Sequence, residues 1–427
     1  MSNWKEYKLV EVAKNASRRF DFSKHSNVIF INTGDVLNNQ FLHKNYSIAD
    51  GLPGQAKKAI QKGDILYSEI RPGNGRYLLV GDSVDDYVVS TKFMVIESNQ
   101  EIILPEFLFL LLISNEATEY FKVIAESRSG TFPQITFDSI SHYELKIPSK
   151  DIQQSIVDNI FVLDKKIELN TQINQTLEQI AQTIFKSWFI DFDPVHAKAN
   201  ALASGQTTEQ ATQAAMTVIS GKNTQELHRL QTANPKQYQQ LWEIAEAFPS
   251  GFDEEGVPRG WAVKRIEDVI RKIPTGKKYS QKTAFEVGNI PILDQGKSGV
   301  IGYHNDEAGV KASIENPVIV FANHTCYMRL ISYDFSAIQN VFAFVGKESN
   351  VLWTYLATLG KQEFTEYKGH FPDFLIKEII VPNNELTELF GVVVKEHFQQ
   401  IACNDKQNKT LANVRDLLLP KLLSGEV

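Results

Sequence analysis

Residues 151–189 read DIQQSIVDNIFVLDKKIELNTQINQTLEQIAQTIFKSWF. Within them Ile156, Ile160, Leu163, Ile167, Asn170, Asn174, Leu177, Ala181, Ile184 and Trp188 advance by alternating steps of four and three. That spacing places all of them on one face of a helix. Eight of the ten are apolar, and the exceptions, Asn170 and Asn174, adjoin at mid-seam. A buried amide at such a position costs stability but penalises any partner helix that docks out of register. The stretch therefore predicts one long helix, residues 152–189, built to pair with a particular partner.

That partner lies in the same chain. At a constant offset of 234 the seam positions become Phe390, Val394, His397, Ile401, Asn404, Asn408, Leu411, Arg415, Leu418 and Leu422. Both asparagines recur as asparagines, and Pro148 meets Pro382 at the same offset. NQTL at 174–177 likewise meets NKTL at 408–411. His397 and Arg415 place polar groups on the second seam. A repeat of this length takes precedence over any other reading of the fold.

The preceding segments repeat as well. Trp4, Lys8, Leu9, Glu11 and Val12 match Trp261, Arg265, Ile266, Asp268 and Val269 with identical spacing. Towards the end of each copy, GTFP at 130–133 matches GHFP at 369–372. Between these anchors the copies diverge. Matched frames with unmatched middles suggest two similar modules that read two different things.

Composition bounds the class. The chain has 427 residues, 43% hydrophobic and 22% charged, which suits a soluble globular protein of two to three domains. No apolar run reaches the roughly 20 residues needed to span a bilayer, so a cytoplasmic location with no membrane partner is expected. Two cysteines, Cys326 and Cys403, exclude a disulfide framework or a cysteine-rich zinc site. The net charge of −7 does not by itself advertise nucleic-acid binding, although local distribution matters more.

In chain order, residues 1–148 predict short strands at 27–32, 64–67, 77–80, 87–97 and 143–147 around one helix at 105–125. This is one compact α+β module. Residues 149–190 form the central helix. Residues 191–259 form a connector, helical over about 207–247 and ending in the turn-rich FPSGFDEEGVPRGW. The second module occupies 260–382 and the second long helix 383–427. The expected fold is thus α+β, with two tandem mixed α/β modules separated by two long helices pairing as an antiparallel coiled coil with pseudo-two-fold symmetry. A helix of about 38 residues spans roughly 57 Å, which would hold the modules apart like a calliper. Dimeric DNA-binding proteins use such symmetry to reach half-sites about one helical turn, ~34 Å, apart.

Three segments carry a family resemblance: LDKKIELNTQINQTLEQIAQTIFKSWFIDFDPVHAK (163–198), FPSGFDEEGVPRGW (248–261) and RDLLLPKLLSGEV (415–427). They closely resemble the specificity subunit of type I restriction-modification enzymes, and the resemblance follows essentially the whole chain. It implies two target recognition domains that read the halves of a bipartite asymmetric site in double-stranded DNA. It also implies a coiled coil that sets their spacing and docks two adenine methyltransferase subunits, with further subunits for restriction and translocation. By the same resemblance the chain is non-catalytic and binds no cofactor. S-adenosylmethionine is expected on the methyltransferase, and ATP and Mg on the restriction partner. A bivalent scaffold for other ligands and a system that only methylates are the alternatives.

The residues agree that chemistry is absent. Adenine methylation calls for a motif such as NPPY, and Asp193-Pro194-Val195 lacks its second proline and aromatic. Gly296-Lys297-Ser298 ends like a phosphate-binding loop, but Pro291 stands where the first glycine belongs. The histidines show no HExxH spacing.

Basic clusters remain. Between Arg259 and Lys282 eight Lys or Arg (Arg259, Lys264, Arg265, Arg271, Lys272, Lys277, Lys278, Lys282) face two acids, Glu267 and Asp268. In the first module Lys14, Arg18, Arg19, Lys57, Lys58, Lys62, Arg71 and Arg76 gather similarly. Such groups contact phosphates, while Arg, Asn and Gln read base edges. The expected DNA-binding residues are Lys14, Arg18, Arg19, Arg71, Arg76, Lys272, Lys277, Lys278, Lys282 and Lys297. Asn38, Asn39, Gln40, Gln281, Gln295 and Asn323 are further loop candidates. The expected helix-pairing residues are Ile156, Ile160, Leu163, Ile167, Asn170, Asn174, Leu177, Ile401, Asn404, Asn408, Leu411 and Leu418.

Overall fold

The computed structural model describes residues 4–81, 84–128, 132–296, 299–366 and 368–426. The chain forms two compact units, Met1–Leu169 with Gln407–Val427, and Asn170–Lys406. Both long helices, Lys150–Phe189 and Asn384–Ser424, contribute residues to both units. Among the described residues no helix is long and apolar enough to cross a membrane.

In the first unit, strand Lys5–Lys8 pairs antiparallel with Glu144–Ile147. A four-stranded antiparallel sheet follows, ordered Ala13–Asn15, Phe93–Ser98, Ile65–Ser68, Tyr77–Leu79. In a second sheet the strand Tyr87–Ser90 is parallel to Asn27–Ile31 and antiparallel to Ala56–Ala59. The expected single strand 87–97 is thus two strands in different sheets. The break falls at Thr91–Lys92, where Ser90 Oγ accepts the Lys92 N–H at 3.2 Å and turns the chain. The expected helix 105–125 is also two, Pro105–Leu112 and Asn115–Arg128. Ser114 divides them, its Oγ accepting the Ala117 N–H at 3.2 Å as a new N-cap.

The second unit repeats this frame. Ala262–Arg265 pairs antiparallel with Glu378–Val381. The sheet Ile270–Ile273, Val341–Gly346, Val318–Ala322, Met328–Ile331 reproduces the order and sense of its counterpart. The other sheet does not: Ser336–Ile338 is parallel to both Lys278–Tyr279 and Ile290–Leu293. The frame recurs and the middle differs.

The connector is four helices, Asp193–Ala203, Thr208–Ser220, Thr224–Ala233 and Pro235–Ala247. The expected continuous stretch 207–247 is cut by caps: Thr207, Asn223 and Asn234 each accept an N–H of the helix they start. The motif DFDPVHAK fastens this bundle. Lys198, buried, donates to the carbonyls of Ala245, Glu246 and Phe248 at 3.1, 3.1 and 2.5 Å, closing the last helix.

The helical seam is wider than its sequence spacing. In the first unit Ile156, Val157 and Ile160 are buried beside Leu418, Leu419, Leu422 and Leu423. Arg415 is accommodated by an ion pair to Asp164 on the opposite helix at 2.7 Å. In the second unit Ala181, Phe185, Trp188 and Phe189 pack with Phe390, Val394 and Phe398. Within each unit rising numbers on one helix meet falling numbers on the other, so the segments run antiparallel. Leu163, Ile167, Leu177, Ile401, Leu411 and Leu418 are half-buried, while Asn170 and Asn404 are buried.

The amides hold the register. Asn404 Nδ2 donates to Asn174 Oδ1 at 2.8 Å, and Asn174 Nδ2 donates to Asp405 Oδ1 at 2.8 Å. Gln400 donates to the remaining Asn404 oxygen at 2.7 Å. Replacing Asn174 and Asn404 together by leucine removes this penalty on misregistered pairing. The double variant is expected to keep its helical circular dichroism while cysteine cross-linking between the two helices, confined to one register in the parent, also forms at neighbouring registers. Cross-linking that stays confined to the parental register would remove the register role.

Candidate nucleic-acid interface

The expected DNA-binding residues fall into engaged and free groups. Arg18 is engaged: its guanidinium donates to Asp64 and Glu97, and Asp64 is 1% exposed. Lys14 joins the cluster through Glu97 at 3.0 Å. Burial pushes the Asp64 carboxyl up, opposed by hydrogen bonds from Arg18 and the Gln61 N–H. The bond from Lys14 leads those holding the Glu97 carboxyl below its ordinary value. Arg76 is also engaged, donating to the carbonyls of Gly34 and Val36 at 2.8 and 2.7 Å. Lys58, half-buried, donates to the Phe93 carbonyl at 2.6 Å, and burial lowers its pKa.

Arg76 ties together two loops. Val36–Leu37 and Gln40–Phe41 form a hairpin whose two-residue tip, Asn38-Asn39, has φ +44° and +66°. These angles match the twist of the flanking strands and favour asparagine. Asn39 Oδ1 accepts the Leu79 N–H at 2.8 Å, so this side chain braces the loop, whereas Asn38 and Gln40 are exposed. Asn38 N–H reaches the Gly75 carbonyl at 2.7 Å and Asn39 N–H the Tyr77 carbonyl at 3.0 Å. Gly75 takes φ +67°, a left-handed conformation that glycine adopts without steric cost. Hairpin tip and turn are thus one rigid loop cluster carrying Asn38, Gln40 and Arg71.

In the second unit all eight basic residues from Arg259 to Lys282 are exposed. Lys277 pairs with Asp306 at 2.8 Å, Lys278 donates to Thr275 Oγ1, and Lys272 sits 5.3 Å above the Phe371 ring. Lys264, Arg271, Lys282 and Gln281 are exposed with no partner among the described residues. Lys297 lies outside the described residues, as does Ser298 of the phosphate-loop lookalike.

Two loop candidates need correction. Asn323 is 8% exposed, and its Oδ1 accepts the Phe371 N–H at 2.8 Å, so it braces the GHFP turn rather than facing a groove. Gln295 is engaged at both ends of its amide: its Oε1 accepts the His324 N–H at 2.8 Å and its Nε2 donates to the Gln339 carbonyl at 3.5 Å. Sequence reasoning passed over Arg329, which donates to the carbonyls of Gly299 and Asp294, both at 2.9 Å, and fixes that loop. It also passed over His324, whose ring bridges the Lys368 carbonyl at 2.8 Å and the Asn340 amide at 3.1 Å. No spacing marks either residue, because their partners are distant in sequence. Among the described residues no group of His, Cys, Asp and Glu is placed to hold a metal ion.

The chain offers loop clusters and basic surface on a duplicated frame. A family model described as the type I restriction modification DNA specificity domain matches residues 1–179. The HindI specificity subunit of Haemophilus influenzae is 48% identical over 466 aligned positions that cover 100% of both chains. The MjaIX specificity subunit of Methanocaldococcus jannaschii is 25% identical over 76% of this chain and 69% of its own. The solved S subunit of a type I restriction-modification system from M. genitalium shares the fold, with a TM-score of 0.50 at 13% identity over 98% of this chain and 96% of that one. With that full-length identity beside the repeated frame, the chain belongs to the specificity subunits of type I restriction-modification enzymes, their non-catalytic DNA-specificity component.

Proposed function

We propose that the two modules, residues 1–148 and 260–382, each read one half of a bipartite, asymmetric site in double-stranded DNA. The long helices set the distance between the halves and dock two adenine methyltransferase subunits, and restriction and translocation subunits join that complex. The chain carries no cofactor of its own in this reading. S-adenosylmethionine belongs to the methyltransferase partner, and ATP and Mg to the restriction partner. The duplicated frame carries the proposal: the terminal strand pair and one sheet recur strand for strand, while the second sheet and its loops differ. One mount with two different readers is what an asymmetric two-part site demands. The exposed basic residues supply phosphate contacts that position the modules, and the loops supply base contacts.

The test is co-expression with the cognate adenine methyltransferase and mapping of methylated adenines with and without this chain. A two-part asymmetric motif that vanishes without the chain is the expected result. Methylation unchanged by its removal would leave a bivalent scaffold for other ligands.

A further inference from the structure

Arg71 opens the turn RPGNGR with φ +48° and ψ 73°, a left-handed conformation that residues other than glycine rarely adopt. The fold holds it there from both sides. Its N–H donates to the Pro133 carbonyl at 3.0 Å, and its carbonyl accepts the Asn74 N–H at 3.0 Å. The preceding Ile70 bridges Gln134, and the following Pro72 is buried. Strain of this kind persists where surrounding structure over-determines it, and it concentrates at functional positions.

The side chain has a different fate from its neighbours. Arg18, Arg76 and Arg415 of the same unit are all spent on carboxylates or carbonyls. Arg19 is exposed but lies in an ordinary antiparallel bridge to Lys58. Arg71 is exposed and makes no hydrogen bond or ion pair through its guanidinium among the described residues. It stands in the loop cluster with exposed Asn38 and Gln40, on a backbone that cannot drift. A phosphate contact needs charge and reach but no fixed mount. Reading a base edge needs a planar fork held in direction.

We propose that Arg71 is a specificity-determining residue of the first unit, its guanidinium donating in a fork to O6 and N7 of a guanine in the major groove. The proposal rests on the reading that this unit meets DNA. Among the described residues the second unit places no arginine in the matching turn: after its strand Val318–Ala322 come Asn323, His324 and Thr325, all engaged internally, and the left-handed position falls on Cys326 at φ +56°. Arg71 therefore governs one half-site only.

The test uses the full chain co-expressed with its methyltransferase, with methylated adenines mapped for the parent and for Arg71→Ala, Arg71→Lys and Arg71→Gly. Glycine accepts the left-handed backbone without strain, so Arg71→Gly removes the guanidinium from a fold that is preserved or tightened. All three variants are expected to lose discrimination at one guanine of one half-site by roughly 5- to 150-fold, with the other half unchanged. A motif unchanged in both halves, with methylation still dependent on the chain, overturns the role of Arg71 and leaves the DNA reading intact. Uniformly weaker methylation with no base relaxed, and full rescue by lysine, also overturns it, making Arg71 a phosphate contact. Methylation indifferent to the presence of the chain removes both readings.

Discussion

Trp188→Ala is expected to destabilise the second unit by about 3–5 kcal/mol. Trp188 is 2% exposed and sits where three segments meet. It belongs to the first long helix. Its ring lies edge-on to Phe248, at the end of the connector, at 5.3 Å, and edge-on to Phe390, of the second long helix, at 5.7 Å. Phe185, Phe189, Trp261 and Trp353 complete the same core. Rings are stiff and cannot flow into a vacated volume, so the cavity persists and its cost adds to the lost transfer energy. Each lost edge-to-face pair adds about 0.5–1.5 kcal/mol. Trp188→Phe keeps most of the apolar surface and is expected to cost less than half as much. Urea unfolding followed by far-ultraviolet circular dichroism measures both variants. An alanine variant with an unmoved midpoint would mean that the indole is not the keystone of this core.

The helices were readable in the sequence because their signal is periodic and long. Ten positions at four-three spacing, repeated 234 residues later with both asparagines kept, leave one economical explanation. The breaks were not readable. Apolar residues resume after Ser90-Thr91-Lys92 and after Ser114-Asn115-Glu116, so neither short polar step announces a break, and the chain turns there as single hydroxyls, Ser90 and Ser114, capture backbone N–H groups. The candidate site shows the same division. Charge is written in the sequence, but engagement is not. Arg18, Arg71 and Arg76 look alike in composition. Only the fold brings Asp64 and Glu97, 46 and 79 residues away, onto Arg18 and leaves Arg71 facing solvent. Between the repeat anchors the two modules diverge in sequence, and it is there that the second sheet is reordered.

That division makes Arg18 the informative contrast to Arg71. Arg18→Ala is expected to cost about 3–5 kcal/mol of stability in the first unit, because it strands a buried carboxylate. Among the described residues Asp64 would keep the Gln61 N–H, at 2.8 Å, as its charge-stabilising partner. Its carboxyl, already pushed up by burial, would rise further without the guanidinium. The sign of the pH dependence follows. A carboxyl whose folded pKa exceeds its unfolded value of about 3.8 costs nothing while both states are protonated. The cost grows as pH rises through the window between the two values and is complete above the folded one. The deficit of Arg18→Ala against the parent should therefore be small near pH 4 and full near pH 8. Arg18→Met with Asp64→Leu removes both charges and is expected to recover most of the loss, since burying an ion pair is itself costly. Denaturation of the three proteins at both pH values decides the matter. Were Arg18 a DNA contact rather than a brace, alanine would leave the midpoint where it was and weaken only binding, and the pH dependence would match the parent.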